Sequence, residues 1–159
     1  TLTGGGGKDI LTGNQGSDRF LFSGSTKAEA LRTSTLRSLD RINDFNYSQG
    51  DRFQLDFDNN LSTVERPRRL FNAGTQKGSL LQAVRSAYGD KFTRTKGKQA
   101  LKANEAVFFK LGSRTYLSVN DSKAAFSARN DLVVDVTGIQ FASGDAKRAG
   151  TLGVTRYFV

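Results

Sequence analysis

The chain opens with Gly4-Gly5-Gly6-Gly7-Lys8-Asp9-Ile10-Leu11-Thr12. The same pattern follows at once in Gly13-Asn14-Gln15-Gly16-Ser17-Asp18-Arg19-Phe20-Leu21, nine residues later. The first copy fits G-G-x-G-x-D-x-U-x fully, with U apolar; the second has Asn14 in place of the second Gly. A fixed nine-residue period of this kind predicts six residues that turn and three that form a short strand. The turn requires positive φ, which Gly adopts without penalty and Asn tolerates. Turn carbonyls then face a common point, and each Asp adds a carboxylate there. Leu11 and Phe20, the U residues, point inward. A Gly-rich linker is the alternative, but linkers do not keep an Asp and an apolar residue in register.

Composition narrows the chemistry. The 159 residues contain no Cys, Met, Trp or His, while Gly is frequent at 17. The absence of Cys removes disulfides and thiolate metal sites. The absence of His removes the commonest general base and metal ligand. Any metal must take hard oxygen ligands, which points to Ca²⁺ or Mg²⁺, and the glycine-rich turns favour Ca²⁺. The candidate ligands are the Asp9 and Asp18 carboxylates with the carbonyls of Gly4, Gly6, Gly13 and Gln15. Asp40 and Asp44 are candidates to complete a site, with turn capping as the alternative role. Successive loops of stacked nonapeptides fall on alternate sides. Residues 4–9 are therefore expected to stack on 22–27, which lack the motif Asp, and 13–18 to need a partner upstream of Thr1.

Charge is concentrated. The net charge is +9, yet residues 1–60 sum to −1, residues 61–102 to +8 and residues 103–159 to +2. The middle segment holds Arg66, Arg68, Arg69, Arg94, Lys96 and Lys98 among its ten basic residues. These six are the candidates for contact with an acidic partner such as cell-surface polysaccharide; a solvated basic face is the alternative. Sparse aromatic interleaving and the absence of a nucleic-acid motif count against nucleic acid.

The nonapeptides resemble the calcium-binding repeats of RTX, hemolysin-type, proteins, whose repeats coil into a parallel β-roll. The segment DRINDFNYSQGDRFQLDF (40–57) resembles the stretch that closes such rolls in serralysin-type proteins. There Ile42 and Phe45 are expected to plug the roll. Phe53, Leu55 and Phe57 are expected to form a half-buried strand, with Asp56 and Asp58 on its solvent face. LFNAGT (70–75), LLQAVRSAYGDK (80–91), the segment 100–139 and AGTLGVTRYFV (149–159) resemble the C-terminal bluetail domain of cyanobacterial RTX proteins. The resemblance implies a secreted, cell-surface protein exported by type I secretion machinery. An uncleaved signal then lies in the tail that ends in Tyr157, Phe158 and Val159. The basic segment departs from the neutral to acidic composition of that family.

The residues support a compatible fold. SLLQAVRSAY places Leu80, Leu81, Val84 and Tyr88 at helical spacing, with Ser79 as N-cap and Gly89 as stop. AVFFKL and TYLSV form a hairpin through Gly112-Ser113. DLVVDVTGI predicts a third strand and TLGVTRYFV a fourth. The expected fold is mainly β: a short parallel β-roll stub over 1–22, capped by a mostly antiparallel sheet with one helix over 23–159. No apolar run is long enough to span a membrane. No nucleophile–base pair, P-loop or zincin motif is present, so catalysis is not expected. Two functions remain open. One is a calcium-binding tail that carries the secretion signal and caps the fold. The other is a calcium-dependent attachment or self-assembly module that uses the basic segment.

Overall fold

A computed structural model describes all residues, 1–159, and the fold is mainly β. The first half contains β1 (Ile10–Leu11), β2 (Arg19–Ser23), α1 (Lys27–Arg32), β3 (Asp40–Ile42) and β4 (Arg52–Asp56), with a 3-10 turn at Tyr47–Gln49. The second half contains β5 (Leu70–Gln76), α2 (Leu80–Gly89), β6 (Ala106–Leu111), β7 (Arg114–Val119), β8 (Leu132–Asp135), β9 (Gly150–Leu152) and α3 (Val154–Tyr157). Seven strands form one sheet in the order β1-β3-β8-β7-β6-β5-β9, and β2 pairs with β4 in a second.

The large sheet is mixed, not mostly antiparallel. The β1–β3, β3–β8 and β5–β6 pairs are parallel, and the β6–β7, β7–β8 and β5–β9 pairs are antiparallel. A parallel pair needs a crossover. Here α2 is the crossover from β5 to β6. Its start fits the sequence expectation, because Ser79 and Gln82 form a reciprocal capping box. The strand β5 was hidden in LFNAGT by its own irregularity: the pairing register shifts between Asn72 and Thr75, and Gly74 takes φ +70°.

The sheet is covered on both faces, which explains the unbroken apolar runs in its central strands. On one face Ala106, Phe108, Leu117 and Leu132 pack with Phe20, Phe45, Phe53, Tyr157 and Phe158. On the other Phe71, Val107, Phe109 and Tyr116 pack with Ala83, Val84, Ala87 and Tyr88 of α2. The sheet is thus the middle of three layers. Nonapeptide strands and C-terminal strands share both a sheet and a core.

Two helices were not expected. Residues 24–32 turn into α1, capped where the Thr26 hydroxyl accepts from the Glu29 amide at 3.2 Å. Gly24 makes the tight entry possible, since a Cβ there would meet the Ala30 amide nitrogen at 2.5 Å. The C-terminal stretch is a strand only over Gly150–Leu152, and Val154–Tyr157 is helical.

The chain passes from one sheet to the other and back. As a result β3 lies parallel on β1 and β4 parallel on β2. Single bridges extend the second ladder, from Leu2 to Phe20 on one side and from Phe53 to Phe158 on the other. The parallel Leu2–Phe20 bridge joins residues two nonapeptides apart, but a parallel β-roll is not shown beyond it. The other stacked layers are separated by 31 residues at Asp9–Asp40 and 33 at Asp18–Asp51. The expected stacking of residues 4–9 on 22–27 is therefore wrong, because α1 carries residues 24–32 out of the coil.

Candidate functional site

Both nonapeptides turn as their spacing requires. Positive φ falls at Gly5 and Gly7 in the first, and at Asn14 and Gly16, nine residues on, in the second. Asn14 stands at φ 66°, the left-handed conformation it tolerates best among residues with a Cβ.

The first turn, residues 4–9, stacks on Asp40. The Asp9 amide donates to Asp40 Oδ1 at 3.0 Å. The other oxygens, Asp9 Oδ2 and Asp40 Oδ2, are buried and have no hydrogen-bond partner. Both face Gly4: a Cβ built there would sit 3.0 Å from Asp9 Oδ2 and 3.1 Å from Asp40 Oδ2. Gly4 thus leaves open a cradle that any side chain would fill. Asp40 is 1% exposed. Burial, reinforced by the neighbouring Asp9 carboxylate, pushes its carboxyl up to about 6, against the pull of the Asp9 amide. Two orphaned carboxylate oxygens beside a glycine cradle are hard-oxygen donors of the kind that could hold a metal ion.

The second turn, residues 13–18, stacks on residues 44–51. Asp44 accepts the Gly13 amide at 2.9 Å on one oxygen and the Asn14 amide at 2.7 Å on the other. Asp51 accepts the Asp18 amide on Oδ1 and the Asn46 amide on Oδ2, both at 2.8 Å. Asp44 and Asp51 therefore close the turns as amide acceptors. Asp18 packs on Gly13, where a Cβ would meet its carboxylate. Gly6 and Gln15 lie exposed at the turn tips. Asp51 was not among the candidate residues. Its signal was available in the sequence, since it follows Gly50 in the turn Ser48-Gln49-Gly50-Asp51, where Gly50 adopts φ +99°.

A third carboxylate group differs from the arrangement expected of an alternating strand. Asp56 and Asp58 do not share a solvent face. Asp56 is 4% exposed while Asp58 is exposed, because β4 buries Gln54 and Asp56 as well as Phe53 and Leu55. Asp56, Asp58 and Glu65 each bring an oxygen within 4.8 Å of the others, a spacing that can hold a metal ion. Within that loop Asp56 Oδ1 accepts the Asn60 amide at 3.0 Å and Glu65 Oε2 accepts the Phe57 amide at 3.0 Å.

The basic candidates Arg66, Arg68, Arg69, Arg94, Lys96 and Lys98 are all exposed. Arg69 stacks over the Phe71 ring, 5.0 Å from its centroid, and Phe92 meets the same ring edge-on. The segments on either side of α2 thus converge on Phe71. One member of the basic run is not on the surface. Lys91 is 4% exposed and is held 2.5 Å from Glu105, itself buried. The protein contains only two other ion pairs, Arg114–Asp135 and Arg156–Asp145.

Of the C-terminal candidates, Tyr157 and Phe158 belong to the core and Val159 is half-buried. Tyr157 and Phe158 are fully buried, and the Val159 amide donates to the Phe53 carbonyl at 3.1 Å. The Tyr157 hydroxyl donates to Asp145 at 2.8 Å and accepts the Ala142 amide at 3.1 Å. Burial holds that phenol well above its ordinary value. No helix is long and apolar enough to cross a membrane. No family model matches the chain, and no curated protein matches it.

Proposed function

We propose that this chain is the calcium-binding C-terminal tail of a secreted bacterial surface protein of the RTX type, acting as fold cap and as type I secretion signal. The observation that carries the reading is the pair of orphaned oxygens, Asp9 Oδ2 and Asp40 Oδ2, facing the Gly4 cradle. Two like charges held close in a buried place cost stability unless a cation joins them. Calcium would satisfy both carboxylates, with turn carbonyls of Gly4 and Gly6 as further hard ligands. Binding would then be linked to folding: the turns repel at low calcium and close at high calcium. The resemblance to bluetail domains supports the export role. Because Tyr157 and Phe158 are buried in the fold, a signal in this tail is readable only before folding.

Calorimetric calcium titration tests the metal site, with Asp9→Asn and Asp40→Asn beside the wild type. Loss of the binding heat in both variants is expected, and unchanged heats in both would remove the site. Export is tested separately, by offering residues 100–159 and the intact domain as fusions to a matching transporter. Failure of both fusions would remove the secretion role and leave the calcium site standing.

A second reading is favoured by the lack of charge pairing: apart from Lys91, none of the ten basic residues in 61–102 forms an ion pair. Exposed uncompensated cations of this density suit attachment to acidic surface polysaccharide. Binding of that kind weakens as salt rises.

A further inference from the structure

The C-terminal end of α2 carries two adjoining hollows that the calcium site does not use. A cleft of about 400 Å³ is lined entirely by polar residues and glycine, with Gln76, Arg85, Ser86, Asp90, Thr93 and Lys98 around it. Beside it lies a shallower, mostly apolar hollow of about 500 Å³, walled by Tyr88, Leu101 and Phe126. Arg85 and Gly89 border both. Neither Arg85 nor Lys98 forms an ion pair within the protein. Asp90 uses Oδ1 to accept the Phe92 amide at 3.1 Å, and no partner engages its other oxygen.

This mixture of groups discriminates among acidic ligands. Two free cations call for an anion. A carboxylate with a free oxygen accepts a hydrogen bond from a sugar hydroxyl, a donor that the phosphodiester backbone of duplex DNA lacks. Ser86, Thr93 and Gln76 both donate and accept, as hydroxyl recognition needs. The apolar hollow offers Phe126, half-buried and edge-on to Tyr88 at 5.1 Å, to the C–H face of a sugar ring.

We propose that this groove binds a uronate-bearing acidic saccharide. The sugar carboxylate lies between Arg85 and Lys98, its hydroxyls meet Ser86, Thr93 and Asp90, and its apolar face turns toward Phe126. The inference rests on the surface-attachment reading and narrows it from a basic segment to a built groove. Arg85 was not among the residues expected to contact an acidic partner. It belongs here because α2 presents it at the junction of the two hollows.

The test is titration of the full chain with oligogalacturonate at fixed salt, alongside neutral dextran oligomers and duplex DNA. Wild type binds oligogalacturonate and not dextran. The double variant Arg85→Gln/Lys98→Gln weakens binding about tenfold, the loss of two charge-assisted contacts. The control Arg19→Gln/Arg37→Gln removes the same charge from exposed positions elsewhere and shifts it by less than about twofold, a screened long-range effect. Equal losses in both double variants overturn the groove and leave a diffuse charge effect, so the attachment reading survives. DNA binding as tight as oligogalacturonate and equally sensitive to Arg85→Gln/Lys98→Gln overturns the saccharide assignment. Absence of any oligogalacturonate binding by wild type overturns the attachment reading together with the groove.

Discussion

Residues 4–9 and residues 13–18 turn with positive φ at matching positions, Gly5 with Asn14 and Gly7 with Gly16. Their surroundings differ. In the first turn, Asp9 Oδ2 and Asp40 Oδ2 are buried without partners. In the second, the carboxylates of Asp44 and Asp51 take up four backbone amides, from Gly13, Asn14, Asp18 and Asn46. One repeat has thus been tied down by hydrogen bonds, and the other keeps two buried carboxylate oxygens without partners. A nonapeptide fixes the shape of a turn, while the layer stacked on it decides whether the carboxylates there are satisfied by backbone amides or left without partners.

The largest expected effect separates these roles in the metal-free protein. Asp51→Ala leaves the half-buried amides of Asp18 and Asn46 without their acceptor and lowers stability by about 2 kcal/mol. Asp9→Ala removes a carboxylate that accepts no hydrogen bond, and its metal-free stability is unchanged or higher. Urea unfolding in chelator measures both, and comparable losses would erase the distinction between the two turns.

The next effect is a pH dependence of opposite sign with and without metal. Asp40 stands at about 6 in the fold, above its ordinary carboxylate value, so the folded metal-free protein holds this proton more tightly than the unfolded chain. The stabilising contribution is full below the ordinary value, about pH 4, and is lost as pH rises through about 6. Calcium needs the ionised carboxylate, so its affinity falls as pH drops through the same range. Asp131 is also raised to about 6, chiefly by burial, and adds to the metal-free trend. Asp40→Asn isolates the part that belongs to the first turn: its metal-free stability should vary less between about pH 5 and about pH 7.5 than that of wild type. An identical profile would place the proton elsewhere.

The smallest effect concerns the backbone the two turns share. Asn14→Ala puts an ordinary side chain at φ 66° and costs about 1 kcal/mol, whereas Asn14→Gly is close to neutral. Thermal unfolding of the pair measures the difference, and equal melting temperatures would mean that the second turn does not depend on left-handed geometry.

Much of the scaffold was legible because its causes are local. Ser79 and Gln82 announce the start of α2, Gly112 the hairpin between β6 and β7, and alternating residues such as Val107 and Phe108 the two faces of a buried strand. Other elements were obscured by local irregularity. The bulge in β5 broke its alternation, and the short α1 has only six residues in which to show a period. The burial of Asp56, Lys91 and Phe158 could not be read from neighbouring residues, since each depends on partners brought from far along the chain.

The turns follow from local sequence, because positive φ at Gly5, Gly7, Asn14 and Gly16 is a property of single residues and their immediate neighbours. The sequence also restricted metal chemistry to oxygen donors, by containing neither His nor Cys. That Asp40 faces Asp9 and that Asp51 holds Asp18 came from the folded chain, through contacts made across 31 and 33 residues. The reason is physical. Residues 24–32 leave the coil as α1, so the layer that stacks on each turn is set by where the chain returns to the sheet, and the nine-residue period carries no information about that distance.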